Sequence, residues 1–185
     1  MTNEAQRSAL LVMDVQAGII DRVADGAAYL SRVTETVGAA RARAIPVIHV
    51  VVGFRPGMPE GSPKNLAVST LLQQRPPFLI DPRPLLTPAE SEIVVIKRRV
   101  SAFTGSDLEV VLRSAEIDHL VLCGIVTSGV VLSTVREAAD RDYRLSVLAD
   151  LCADPDPEVH ALLMNKVFPR QARVLSAAEW LAQAS

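Results

Sequence analysis

The chain has 185 residues, 49% of them hydrophobic and 22% charged, with 19 basic against 21 acidic side chains and a formal net charge of −2. Without a basic excess to neutralise phosphates, and with only 4% aromatic residues, the composition argues against a nucleic-acid groove or a base-stacking platform. Two cysteines, Cys123 and Cys152, and three histidines, His49, His119 and His160, are too few for a disulfide scaffold or a multi-cysteine zinc module.

The length fits one domain spanning residues 1–185, large enough to bury roughly 70% of its unfolded surface without staples. The opening run Met1–Ser8 is polar, and no apolar run reaches the ~20 residues a membrane span needs. Neither a signal peptide nor membrane contact is expected, and the cytoplasm is the expected compartment.

In chain order, the first apolar run is Ala9–Met13, followed by helix-period sequence over Ala27–Ala44 with Leu30, Val33, Val37 and Ala40 on one face. Pro46 marks the turn into a second run, Val47–Val52. The stretch Gly53–Pro88 holds eight of the twelve prolines and reads as a long crossover with one short helix near Leu66–Gln73. Such crossovers serve as rigid surface connections, functional covers or oligomer contacts. Then come a run at Ile93–Ile96, a helix over Ser106–Ala115, a run at Leu120–Cys123 and a helix over Ser128–Arg141. A run at Leu145–Leu148, a helix over Pro157–Phe168, a short run at Ala172–Leu175 and a helix over Ala177–Gln183 complete the chain. The runs are nearly continuous rather than alternating, as strands buried on both faces are. Strands alternating with helices predict βαβ units and an α/β fold around a mostly parallel sheet.

Open parallel sheets bind ligands outside the carboxyl ends of their strands, at the point where strand order reverses. The residues that follow each run are therefore the functional candidates. They are Asp14-Val15-Gln16 after the first, Lys97-Arg98-Arg99 after the third, Gly124 to Val130 after the fourth, and Asp150, Asp154 and Asp156 after the fifth. An isolated buried carboxylate is costly, so Asp14 needs a partner, and Lys97 on the same rim is a candidate. The three aspartates also suit helix N-termini around Pro157.

Three ordered stretches, LLVMDVQAG, IKRRVSAF and CGIVTSGVVLSTVREAADRDYRLSVLAD, resemble the isochorismatase-like hydrolase superfamily, also called the cysteine hydrolase family. The likeness runs from about Ala9 to Phe168. It rests on an Asp-x-Gln after strand one (Asp14, Gln16), a lysine before Ser101-Ala102-Phe103 (Lys97), and a run opening a helix (Gly124, Thr127, Val131, Thr134). The resemblance implies a three-layer α/β/α sandwich with about six strands and an Asp-Lys-Cys triad. On this chain the triad positions are Asp14, Lys97 and Val130. It also implies an oxyanion hole from the backbone N–H groups of Val126 and Val130, and a cis peptide at Ile125–Val126.

Valine has no lone pair, so position 130 cannot supply a covalent nucleophile. Cys123 lies inside an apolar run and reads as a core thiol. Cys152 sits on the rim among carboxylates that would raise its pKa. True isochorismatases also lack the cysteine, and there an aspartate protonates an enol ether before water adds. By that resemblance Asp14 is the acid or base and Lys97 its electrostatic partner, holding either a substrate carboxylate or Asp14. Gln16, Phe103, Val126 and Thr127 are the candidate substrate-binding residues, with Phe54 a further candidate wall and core packing the alternative for both aromatics. Nicotinamidase members bind a metal just after strand two, where this chain offers only His49. No metal or other cofactor is expected, and nicotinamide is disfavoured.

The leading reading is therefore a family hydrolase acting on a small molecule by non-covalent acid/base chemistry. The alternative is an inactive homologue that binds a small molecule. A nucleotide-binding module is set aside because Asp14-Val15-Gln16-Ala17-Gly18 has one glycine and an acidic residue where a phosphate loop is needed. Family members often assemble, so a homo-oligomer is expected.

Overall fold

A computed structural model describes residues 7–183. The polar opening run lies, up to Gln6, outside the described residues. The sheet contains β1 (Ser8–Met13), β2 (Val47–Val52), β3 (Ile93–Lys97), β4 (His119–Ile125), β5 (Arg144–Ala153) and β6 (Arg173–Leu175). Its order is β3-β2-β1-β4-β5-β6, and every neighbouring pair is parallel. The chain winds outwards from β1 to β3, then returns to the other side of β1 to lay down β4. The reversal of strand order, and with it the crevice, therefore falls between β1 and β4.

Alternation along the central strands divides the core in two. Ala9, Leu11 and Met13 of β1, with Leu120 and Leu122 of β4, face one layer. That layer holds α3 (Leu108–Ser114), α4 (Leu132–Asp140) and the segment from α5 (Pro157–Leu162) to Phe168. Leu10, Val12, Val121 and Cys123 face the other, which holds α1 (Gly26–Ala42) and α6 (Ala177–Gln183). This is the three-layer α/β/α sandwich expected from the sequence. Local signals start the helices where they begin. Asp25 accepts from Ala28 N at 3.0 Å to cap α1, and Asp156 accepts from Glu158 N and Val159 N to cap α5, with Pro157 in its first turn.

The Pro-rich crossover carries α2 (Leu66–Gln74), close to its expected span, and builds its own small core from Phe54, Met58, Val68 and Leu79. Two elements differ from the sequence reading. β5 does not stop at Leu148. Its register against β4 shifts between Leu122 and Gly124, and the strand runs on to Ala153. Asp150 thus lies within β5, where its carboxylate accepts from Ala177 N at 2.8 Å at the start of α6. The helix expected over Ser128–Arg141 opens as a wide π-helical turn, Thr127–Val131, before α4. Among the described residues, no helix is long and apolar enough to cross a membrane.

At the amino end of the sheet an ionic cluster, buried at His49 and exposed at Arg41, ties α1 to the strands. Glu92 accepts from Arg41 Nε and Nη2, each at 2.8 Å, and from Ala89 N at 2.8 Å. His49 Nε2 lies 3.0 Å from the same carboxylate, which can only accept, so Nε2 carries the proton. The Arg41 hydrogen bond foremost holds the Glu92 carboxyl down at about 2, and burial lowers the pKa of His49. Because the Glu92 carboxyl binds its proton less readily folded than unfolded, its stabilisation is full above pH 4.5 and is lost as the pH falls through about 2. Glu92→Gln is expected to lower unfolding free energy by about 2 kcal/mol at neutral pH. Urea titrations of both proteins should show that gap closing as the solution is acidified.

Candidate active site

Asp14 is the first residue after β1. Its backbone adopts φ 55°, a left-handed conformation that aspartate tolerates better than most residues, and its N–H still donates to Val50 O at 2.8 Å. The carboxylate is thus turned out of the sheet plane at the strand end. Lys97 closes β3, two strands away. Its ammonium donates to Asp14 Oδ2 at 2.9 Å and to the carbonyls of Arg99 and Val100, each at 3.0 Å. An ammonium has three protons, and all three are engaged. Asp14 Oδ1 is buried and has no hydrogen-bond partner among the described residues.

Asp14 and Lys97 both face a cavity of about 360 Å³ whose floor includes Ile125, Val126 and Val130. Its roof comes from the Pro-rich crossover: Val68 and Leu71 of α2, with Phe54 and Phe78. That crossover is therefore a cover over the crevice. Burial, the dominant influence, raises the Asp14 pKa above the ordinary aspartate value, while the charge and hydrogen bond of Lys97 and the charge of Arg22 oppose it.

The structure assigns other work to three expected contact residues. Gln16 is fully buried and does not line the cavity. Its amide clamps the last residue of β2, with Oε1 accepting from Val52 N at 2.8 Å and Nε2 donating to Val52 O at 3.2 Å. Phe103 packs in the core between Tyr143, at a ring-centroid distance of 5.9 Å, and the Arg141 guanidinium, 4.9 Å from the Phe103 ring centre. Thr127 is buried, with Oγ1 2.9 Å from His160 Nδ1, tying the π turn to α5. Burial lowers the His160 pKa. Asp154 holds the same turn by accepting from Ser128 N at 2.7 Å. Thr134 accepts from Ala102 N at 3.0 Å, anchoring the loop after Lys97 to α4. Phe54, by contrast, does line the cavity.

Neither cysteine lines the cavity. Cys123 Sγ donates to Leu11 O at 3.5 Å within the sheet, and burial pushes its thiol pKa well above the usual value. Cys152 is not on the rim as the sequence suggested. It is buried in β5 opposite Gly124, and burial foremost, with a smaller push from the Asp150 carboxylate, raises its thiol pKa to about 12. His49 is held by Glu92, and no three His, Cys, Asp or Glu side chains converge among the described residues as a metal site would require.

The peptide between Ile125 and Val126 is cis. Just before it, Gly124 has φ 152°, and a Cβ there would meet Met13 O at 2.2 Å. Only glycine lets β4 come this close to β1 immediately beside Asp14.

An α/β/α sandwich with an all-parallel sheet and a buried Asp-Lys pair at its switch point defines an α/β protein with a small-molecule crevice. The Isochorismatase domain model matches residues 8–179, and the chain belongs to the isochorismatase family of hydrolases. The isochorismatase family protein YecD of Escherichia coli O157:H7 is 35% identical over 96% of both chains. The ureidoacrylate amidohydrolase RutB of Pseudomonas syringae pv. syringae is 34% identical over 82% of this chain and 72% of its own. Among solved structures, an isochorismatase family protein from Burkholderia thailandensis superposes with a TM-score of 0.83 at 29% identity. That match covers 97% of this chain and 96% of that one.

Gly124→Ala is expected to cost about 1–3 kcal/mol, because the added methyl displaces the Met13 carbonyl or parts the two strands. A lowered midpoint with an unchanged slope in denaturant unfolding would register it.

Proposed function

We propose that this protein hydrolyses a small molecule by acid/base chemistry at Asp14, without a covalent enzyme intermediate. The observation that carries the reading is the state of the Asp14 carboxyl. One oxygen is fixed by Lys97, the other is buried without a partner among the described residues, and the group borders a cavity with mostly apolar walls. A carboxyl whose pKa burial raises is suited to hold a proton and deliver it to a bound substrate. Lys97 orients Asp14 and balances its charge once the proton has gone.

Val130 stands in the cavity floor where the family resemblance puts the nucleophilic cysteine. Its backbone N–H and that of Val126 are the proposed oxyanion donors, a role a side-chain change leaves intact. In this reading Asp14 protonates the leaving atom or the enol carbon of the substrate. Water adds to the cation or activated carbonyl that results, its surplus proton returns to the Asp14 carboxylate, and the bond to the leaving group breaks. The retained proton donor favours turnover, while the valine at 130 favours the second reading, a homologue that binds a small molecule without converting it.

A screen of vinyl ethers and small amides, including ureides in view of the ureidoacrylate amidohydrolases among its relatives, decides between them. Asp14→Asn and Asp14→Ala, checked for a native melting transition, are expected to lose about 100-fold or more in kcat/KM. Alkylating agents should leave the rate unchanged and modify neither Cys123 nor Cys152 until the protein is unfolded. Equal rates in wild type and both Asp14 variants would remove Asp14 from the mechanism, and loss of rate on alkylation of the native protein would point to a thiol. Ligand-induced stabilisation without turnover would favour the binding protein.

A further inference from the structure

We infer, resting on the reading of this cavity as the substrate site, that α2 is the gate to it. The helix swings outward as a unit to admit a molecule, while residues 53–60 and 79–85 on either side stay fixed to the strand ends. Asp14, Lys97 and Val130 line the cavity yet are only 6%, 2% and 2% exposed, so a molecule arriving from outside meets other side chains first. Ala67, Val68, Thr70, Leu71 and Gln74 of α2 are among those wall residues.

The crossover on either side of α2 is strapped to the strand ends. Gly53 N donates to Lys97 O at 3.2 Å, and Arg98 Nη1 donates to Gly53 O at 2.6 Å. Glu60 pairs with Arg98 at 3.4 Å and with Arg55 at 2.7 Å, and its carbonyl accepts from Arg99 Nη2 at 3.0 Å. Further on, Leu85 N donates to Val15 O at 2.9 Å, and Gln16 and Pro84 form a β-bridge. Phe54 N donates to Leu79 O at 2.6 Å and joins the two straps. α2 has nothing of the kind. Among the described residues its hydrogen bonds stay within residues 65–75, and neither a hydrogen bond nor an ion pair ties it to the sheet.

Packing holds the helix no more firmly. Val68 is its one buried side chain, Leu71 and Leu72 are half-buried, and Leu66 is 84% exposed. An element with few buried apolar contacts and no polar tie opens at a lower free energy than its surroundings. Its two ends can absorb the movement. It starts after a loop at residues 61–65 and stops at Arg75, whose φ of 44° and ψ of 54° are left-handed, just before Pro76 and Pro77. At the loop, a Cβ on Gly61 would meet the two Leu72 methyls at 2.4 and 3.0 Å, so α2 rests there on the end of the first strap.

Two measurements on the intact protein test the gate without turnover. Native-state hydrogen exchange should show the α2 amides exchanging about 100-fold or more faster than those of Gly53, Phe54 and Leu85 in the straps. Modification of Asp14 by a water-soluble carbodiimide with glycinamide, read by mass spectrometry as the adduct or as an amide to Lys97, reports access to the cavity. Gly61→Cys with Leu72→Cys, once oxidised, pins α2 to the first strap and should slow that modification about ten-fold or more, with reduction restoring it. Leu72 does not line the cavity, and Leu72→Ala needs no cross-link to form. It should speed both exchange in α2 and modification of Asp14. Equal exchange in α2 and the straps, or an Asp14 modification rate that Leu72→Ala or the closed disulfide leaves unchanged, would overturn the gate. The two proposals fail separately. Asp14-dependent hydrolysis with modification indifferent to α2 removes the gate alone. Modification that tracks α2, with no Asp14-dependent hydrolysis, removes the acid/base reading alone.

Discussion

The buried ion pair between Asp14 and Lys97 is the constraint around which the carboxyl end of the sheet is arranged. The two residues end β1 and β3, and β2 lies between those strands. Two strand spacings amount to about 9.6 Å, so the pair forms only because a long lysine and a turned-out aspartate reach across the end of β2. Each local feature of that end serves the reach. The left-handed backbone at Asp14 aims the carboxylate. The Gln16 amide fixes Val52, the end of the intervening strand, through both its N–H and its C=O. The two carbonyls after Lys97 take its remaining protons, and Thr134 holds that loop in place. Removing one partner of such a pair strands the other as an uncompensated buried charge, at a cost of about 3–5 kcal/mol.

The same geometry limits the chemistry. With Lys97 saturated and one Asp14 oxygen bound to it, the hydrogen-bonding capacity left on the pair is the other carboxylate oxygen. That oxygen is buried, and burial raises the Asp14 pKa against the pull of Lys97 and Arg22. A thiolate in the same place would draw on Lys97 and the open turn for its stabilisation. Val130 draws on neither and adds to the desolvation of its surroundings.

The architecture was legible in the sequence because parallel strands buried on both faces leave continuous apolar runs. The cavity lies where those runs stop, and Asp14, Lys97, Val126 and Val130, to which that rule points, line it. Gln16, Phe103 and Thr127 sit in the same motifs yet serve the scaffold, because proximity in sequence does not fix the direction of a side chain. Two residues beyond Asp14, Gln16 turns to the end of β2, and Phe103 follows the loop into the core. Ending the fifth strand at Leu148 reflected Asp150, whose polarity ordinarily closes a strand. A register shift instead carries β5 past it, and the carboxylate serves α6.

The division of labour between sheet and crossover follows from this. The pair, the turn before α4 and the close approach at Gly124 are set by main-chain hydrogen bonds and packed strands. They tolerate little change, because a displaced strand end unseats the ion pair. The roof is built from α2, Phe54 and Phe78 on a proline-stiffened loop with its own small core, and main-chain bonds from Leu85 N to Val15 O and from Gly53 N to Lys97 O join that loop to the strand ends. Sheet and crossover thus contribute different walls to one cavity: the strand ends supply Asp14 and Lys97, and the crossover supplies Phe54, Phe78, Val68 and Leu71.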